Sequence, residues 1–310
     1  MAGRVEMMRK TWDVFCFGTT NCDILFGGLP NMPRLGTEEY CREFKIQAGG
    51  AANTAMALAR LGLKVGFYTR LGDDPLGHVA LESLRWAGVD LERVEVTPSV
   101  RTSVSAVLSC RADRGIATFD QTAVSAVPLD VLESCLARSK WIHTHLDYMR
   151  ALPIGAMARQ CDTKISLDVS YHAGMRMEDY AEALQAADAF MPNLQEACML
   201  ADCEDGRTAA VRLNRLCPLV VVKAGAEGCW VAQDGRAVHV KTVPETCVDT
   251  CGAGDLFCAG FLRALLAGKD VRGCAEFGNA AGGLSVTFLG GMDERFSLEG
   301  VREYQEKHRC

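Results

Sequence analysis

The chain has 310 residues, 49% hydrophobic and 23% charged, enough apolar content to bury a sizeable core as one large α/β domain or two smaller ones. A formal net charge of -6 argues against a broad nucleic-acid or anionic-membrane surface, so any phosphate site has to be local. No uncharged apolar run reaches the roughly 18 residues of a membrane span and the start lacks the apolar stretch of a signal peptide, which together predict a cytoplasmic protein. The 15 cysteines include no CxxC spacing and read as small buried thiols rather than a disulfide framework or zinc ribbon.

In chain order, apolar β-rich runs at 12–18, 63–72, 140–145, 164–169, 188–193 and 219–225 predict buried parallel strands. Helical patterns at 50–61, 75–87, 153–160 and 193–201 alternate with them. That alternation predicts a doubly wound, mostly parallel α/β sheet flanked by helices, with ligands at the carboxyl ends of the strands. Two segments, about 24–47 and 101–123, lose the helical period, and alternation on either side of 111–114 predicts a hairpin. They are expected to form a small β-sheet lid inserted in a single domain over 1–310, with plain surface loops as the alternative.

The most informative stretch is VDTCGAGDLFCAG, 248–260. Gly252, Ala253 and Gly254 precede an apolar helix that stops at Gly268, so a ligand can approach bare amides at the positive end of a helix dipole. Asp255 sits at that threshold. A carboxylate there is either a routine dipole partner or a general base placed beside bound phosphate.

DTCGAGD, followed by Ala259 and Gly260, resembles the second signature of the PfkB carbohydrate kinases of the ribokinase-like superfamily, and AGGAANTA, 48–55, resembles the first. GTTNCDILF, NLQE, KAGAEG and GNAAGGLSVTFLGG are similar to further motifs of that family in the same order, covering nearly the whole chain. Neither a Walker A motif nor GxGxxG occurs. The resemblance implies a ribokinase-like fold and an ATP-dependent kinase in which Asp255 deprotonates a substrate hydroxyl. The amides of Gly252, Ala253 and Gly254 would stabilise the transferring phosphoryl group, each donor worth roughly 3 to 4 kcal/mol.

Carried over residue by residue, the resemblance implies sugar contacts from Asn21, Asp23, Gly49, Gly50 and Asn53, and from an acidic ligand at Asp147. Asp23 has a turn residue as its alternative. Nucleotide contacts are implied for Asn193, Lys223, Gly225, Gly228 and Asn279. Lys223 stands where many relatives carry threonine or serine, and direct contact of its ammonium with a phosphate is expected. Asn193 and Glu196, spaced i, i+3, would hold Mg2+ through water; a helix N-cap and a solvated glutamate are the plainer reading. A K+ site would use the main chain of Asp249 and Cys251. His143 and His145 read as core or solvent histidines.

The expected acceptor is a hydroxymethyl group on a furanose-like sugar such as ribose or fructose. A nucleoside is the alternative, its base resting on Phe26, Phe119 or Tyr171. A ligand-binding regulator without catalysis is a more distant one. Arg34, Arg42, Lys45, Arg101, Arg111 and Arg114 in the lid could serve a sugar phosphate or sugar acid, or solubility alone. The segment DVSYHAGMR lacks the DxNxR arrangement of some sugar-acid kinases. Exposed lid edges suggest a homodimer formed through the lid.

Overall fold

In the computed structural model, which describes residues 10–110, 114–120, 127–169, 174–243 and 245–308, strand β1 (Trp12–Phe17) is an interior strand, third from one edge, of a nine-stranded sheet. The chain then forms β2 (Thr20–Leu29), β3 (Glu43–Gly50), α1 (Ala51–Arg60), β4 (Val65–Gly72), α2 (Pro75–Ala87), β5 (Val94–Thr97), β6 (Ser103–Cys110) and β7 (Arg114–Phe119). After α3 (Leu129–Ala137) come β8 (Ser139–His145), α4 (Leu146–Ala151), α5 (Ile154–Gln160), β9 (Lys164–Asp168), α6 (Ala181–Ala186), β10 (Ala189–Phe190), α7 (Leu194–Leu200) and α8 (Gly206–Leu213). The last third holds β11 (Leu219–Lys223), β12 (Cys229–Gln233), β13 (Arg236–Val240), α9 (Ala253–Leu266), α10 (Val271–Ser285) and α11 (Leu298–Lys307).

The large sheet runs β13-β12-β11-β10-β9-β8-β1-β4-β5, parallel except for the antiparallel β11–β12–β13 edge. Its strands are apolar on both sides because each face carries a core. Val14 and Cys16 pack towards α1, α9 and α10, while Phe15 and Phe17 pack towards α3, α7 and α8. Strand order reverses at β1, where β8 and β4 flank it, and the carboxyl ends there open the crevice in which such sheets hold ligands. The β12–β13 hairpin and β5 were not anticipated, and the segment at 188–193 forms only a two-residue strand before Asn193 caps a helix.

Helices α9 and α10 cross closely because Gly260 leaves no side chain between them. A Cβ there would lie 2.6 Å from the Ala281 methyl and 3.0 Å from the Phe277 carbonyl. Gly260→Val is therefore expected to cost about 1–3 kcal/mol of stability by overpacking, read as a lower midpoint in urea at unchanged slope.

Both unpatterned segments leave the main sheet and join in a second sheet of order β3-β2-β6-β7. It begins earlier than the expected 24–47 boundary, at Thr20, and continues to Gly50, so Asn21 and Asp23 are strand residues rather than turn residues. The hairpin is present as β6 and β7; Arg111, Tyr171 and residues 121–123 lie outside the described residues. Period-two alternation gives the sheet two different faces. Gln47, Asp23, Ser105 and Thr118 form one cross-strand row, whereas Ile46, Ile24, Ala106 and Ala117 form the next, on the opposite face, joined there by Phe44, Phe26 and Leu108. Leu25 and Val107, on the polar row's face, pack against Cys251 and Leu289, which turns that face towards the loop before α9. Phe26 and Phe119 consequently lie on the far side from Asp23, against their expected role under a nucleobase.

Candidate active site

The loop before α9 is shaped by the side chain of Asp249. One carboxylate oxygen accepts from Ser109 Oγ of the small sheet (3.0 Å) and the Cys251 amide (3.1 Å), and the other accepts from the Gly290 amide (2.9 Å). Asp249 thus ties three segments together by its side chain, a role beyond the main-chain cation contact expected of it. The Cys251 carbonyl faces Gly291, where a Cβ would stand 2.7 Å from it.

Gly252 then caps α9 with φ +73°, a left-handed conformation suited to glycine, and no side chain caps the helix. The Ala253 amide already donates to the Thr250 carbonyl at 3.3 Å, so the expected three-amide nest reduces to two. Gly252 and Gly254 have amides without an acceptor among the described residues, and both line a cavity of about 500 Å³.

Asp255 lines the same cavity. Its Oδ2 accepts from Asn53 Nδ2 at 3.1 Å, and Asn53 also abuts Gly252. Burial, then the neighbouring Asp168 carboxylate, push the Asp255 carboxyl above its ordinary range, with Lys223, Asn53 and His145 acting in the other direction. The first-signature asparagine, α1 and the second-signature aspartate are therefore one constellation.

Of the residues expected on the sugar side, Asn21, Asp23 and Gly49 share the polar face of the small sheet. Asn21 Nδ2 donates to Ser105 Oγ at 3.3 Å. Asp23 is buried, and a Cβ at Gly49 would fall 1.9 Å from its Oδ2, so only glycine leaves that carboxylate in place. Gly50 has φ +62° and packs against Asn21. Burial pushes Asp23 up to about 7, with Asp255 and Asp249 adding to the rise and Ser105 opposing it. Asp147 occupies the first turn of α4, directly after β8.

Among the residues expected to border the nucleotide, Lys223 ends β11 and its ammonium donates to Asp168 Oδ2 at 2.9 Å and Cys258 Sγ at 3.4 Å. Gly225 has φ +57° beside open space, and Gly228 φ +89°, where a Cβ would meet the Val240 carbonyl at 2.1 Å. Asn279 lines the cavity, but its amino group holds the Val240 and Lys241 carbonyls at 3.1 and 3.3 Å. Arg114 reaches in from β7 to bond Thr250.

Asn193 and Glu196 form a reciprocal capping box, Asn193 Oδ1 accepting from the Glu196 amide (2.9 Å) and Glu196 Oε2 from the Asn193 amide (2.8 Å). The plainer reading is thus realised, yet Glu196 is 5% exposed, lines the cavity and has no ion-pair partner among the described residues. Burial and the Asp168 charge push it up to about 7. Among the described residues no group of three side chains could hold a metal directly. A hydrated divalent cation that takes its remaining ligands from phosphates and water fits the Glu196 carboxylate.

Asp168 escaped the sequence reading. Its one signal was position, a carboxylate at the carboxyl end of a buried strand, where open sheets place ligands. His143 is a core residue as expected, bonded to Ser166 (3.0 Å) and pushed down by burial to about 4. His145 stands beside Asp168 in the β8–β9 register.

Asp23 and Glu196 give the fold a specific pH response. In the unfolded chain they ionise near pH 4; in the fold both titrate at about 7. Between those values the folded chain binds more protons, so their contribution makes stability fall as pH rises. Asp13, Asp74 and Asp168, held below their ordinary range, act oppositely only below about pH 4, and His143, held down to about 4, opposes the two carboxyls up to about pH 6.5 but as a single group against two. The ligand-free protein is expected to melt higher near about pH 5.5 than near about pH 8, with Mg2+ narrowing the gap; thermal scans showing the reverse order contradict these shifts.

No helix among the described residues is long and apolar enough to cross a membrane. Residues 13–294 match the family model described as pfkB family carbohydrate kinase. The chain is 33% identical over 279 residues to the ATP-dependent ribose-1-phosphate kinase of Halopiger xanaduensis, covering 88% of this chain and 91% of that one. It is 26% identical to the ribokinase of Haemophilus influenzae, covering 96% and 99%. The solved structure of Arabidopsis thaliana ribokinase complexed with ribose and ATP superposes with a TM-score of 0.77 at 23% identity, covering 96% of this chain and 99% of that one, a likeness of fold. With a family match spanning nearly all of the sequence, the fold it predicts and the two signatures joined by the Asn53–Asp255 hydrogen bond, this chain belongs to the pfkB family of carbohydrate kinases.

Proposed function

We propose that this kinase transfers the terminal phosphoryl group of ATP to a hydroxymethyl group of a furanose sugar of the ribose or fructose type. One observation carries the reading: the Asn53–Asp255 hydrogen bond ties α1, which directly follows Gly49 and Gly50 of the small sheet, to the start of α9, where the Gly252 and Gly254 amides are uncommitted. Asp255 takes the proton of the hydroxyl as that oxygen forms its bond to the terminal phosphorus. The bond from phosphorus to the bridging oxygen breaks, and ADP leaves with that electron pair. The Gly252 and Gly254 amides donate to the charge that develops on the phosphoryl oxygens. Glu196 and Asn193 would hold Mg2+ through water, where it would neutralise charge on the phosphates. Asn21 and Asp23 orient the sugar hydroxyls, with Gly49 and Gly50 giving it room. Gly225, Gly228 and Asn279 border the nucleotide. The small sheet serves as a lid, linked to the anion loop through Ser109 and Asp249.

The name of the Halopiger relative and the reach of Arg114 into the cavity support ribose 1-phosphate as a second acceptor to be tried. The outward placement of Phe26 and Phe119 weighs against a nucleoside. ADP release over a panel of ribose, fructose, ribose 1-phosphate and nucleosides, each in K+ and in Na+, tests acceptor and cation together. Turnover of sugars but not nucleosides is expected; the opposite pattern replaces this reading with the nucleoside kinase, and ligand binding with no turnover replaces it with a regulator.

The outer face of the lid, with Phe44 58% and Ile46 37% exposed, is read as the contact surface of a homodimer. Sedimentation of the purified protein is expected to give twice the chain mass, and a monomer at assay concentration rejects the dimer.

A further inference from the structure

We propose that Asp168 and Lys223 form a positioning pair that fixes one ammonium beneath Gly254, where it meets the terminal phosphate; this rests on the phosphotransfer reading above. The sequence brings the two together through strand parity. Leu219 and Val221 of β11 pack into the core beneath α9 with Phe257 and Cys258, so Lys223, two residues on, faces the same helix. Ser166 of β9 turns its hydroxyl to His143, and Asp168 shares that face. Between these strands β10 is only two residues long, which leaves the ends of β9 and β11 free to converge.

Within this arrangement the carboxylate is spent inside the protein. Asp168 Oδ1 accepts from the Val169 amide at 2.8 Å, and Oδ2 accepts from Lys223 Nζ and, at 3.6 Å, from Cys258 Sγ. Asp168 is thus a support rather than a ligand of the nucleotide. The ammonium differs. Its side chain is 11% exposed, and among the described residues two acceptors serve its three N–H bonds, so one remains for the cavity that Lys223 lines. A methyl group built on Gly254 would touch Nζ at 3.4 Å, Cε at 3.7 Å and Cδ at 3.9 Å, so the side chain lies directly along the residue whose amide is uncommitted.

Stability alone does not account for the pair, because a buried ion pair is often no better than two well-packed apolar side chains. The charges around the cavity give it a purpose. Asp168, Glu196, Glu245 and Asp255 line it against two cations, Lys223 and Arg114, and a triphosphate adds more negative charge.

The test compares nucleotide affinities by calorimetry in Mg2+ for ADP and for the non-hydrolysable β,γ-imido analogue of ATP. Lys223→Met is expected to weaken the triphosphate analogue about 10-fold or more and ADP by less than about 3-fold, as loss of one charged hydrogen bond at the terminal phosphate requires. Asp168→Asn is expected to weaken the analogue too, but to add nothing once Lys223 is Met, since it acts through the lysine. Should either single variant fail to fold, the Asp168→Asn/Lys223→Met protein, which leaves no unpaired buried charge, carries the ADP-against-analogue comparison. Equal weakening of both nucleotides, or additive effects of the two changes, overturns the positioning role. Absence of nucleotide binding by the unaltered protein rejects the phosphotransfer reading itself, and the pair with it.

Discussion

Asp255→Asn is expected to lower kcat about 1,000-fold, within the range for removal of a general base, while the dissociation constant for ADP changes by less than about 3-fold. The substitution keeps the shape of the side chain and leaves an oxygen to accept from Asn53, so the anion loop and its αL cap at Gly252 have no reason to move. What disappears is the proton acceptor. Because burial and Asp168 hold the Asp255 carboxyl above its ordinary range, its conjugate acid is a weaker acid than a surface carboxyl and its anion a better base. The acid limb of the kcat profile should accordingly lie above the usual carboxylate range and vanish in the variant. Steady-state turnover of the variant within about 10-fold of the parent would falsify the base assignment and return Asp255 to the role of a dipole partner.

Gly49→Ala is expected to reduce kcat/KM for the acceptor about 100-fold, the scale of a misplacement by about 1 Å, with ADP affinity kept. The added methyl falls 1.9 Å from Asp23 Oδ2 and 2.2 Å from its Cγ, so the carboxylate must leave the position it shares with Ser105. Gly49 pairs with Asn21 across the β2–β3 ladder, and Asn21 moves with it. Because this damage is confined to the polar face of the lid, the effect should appear in acceptor KM and not in nucleotide binding. A variant with unchanged acceptor kinetics removes Asp23 from the sugar site.

The two signatures were legible because each consists of residues adjacent in the chain and shaped by local rules. Gly252 needs a left-handed φ, Gly49 needs the absence of a Cβ, and the helix that follows Gly254 is announced by its apolar period. The capping box at Asn193 and Glu196 is similarly local, and its spacing alone could not tell a cap from a metal ligand. The β12–β13 hairpin and the true start of the lid at Thr20 were less visible, since short strands at a sheet edge carry too few residues to establish a period.

The sequence by itself determined the strand and helix alternation, the anion loop and the identity of the residue beside it, because these depend on neighbours within a few positions. Only the tertiary structure decided that Asn53 would meet Asp255 across a separation of 202 positions and that Asp168 would hold Lys223 from two strands away. Side-chain direction at a strand end depends on register and on the length of the strand between, quantities fixed by packing of the whole sheet rather than by any local run of residues.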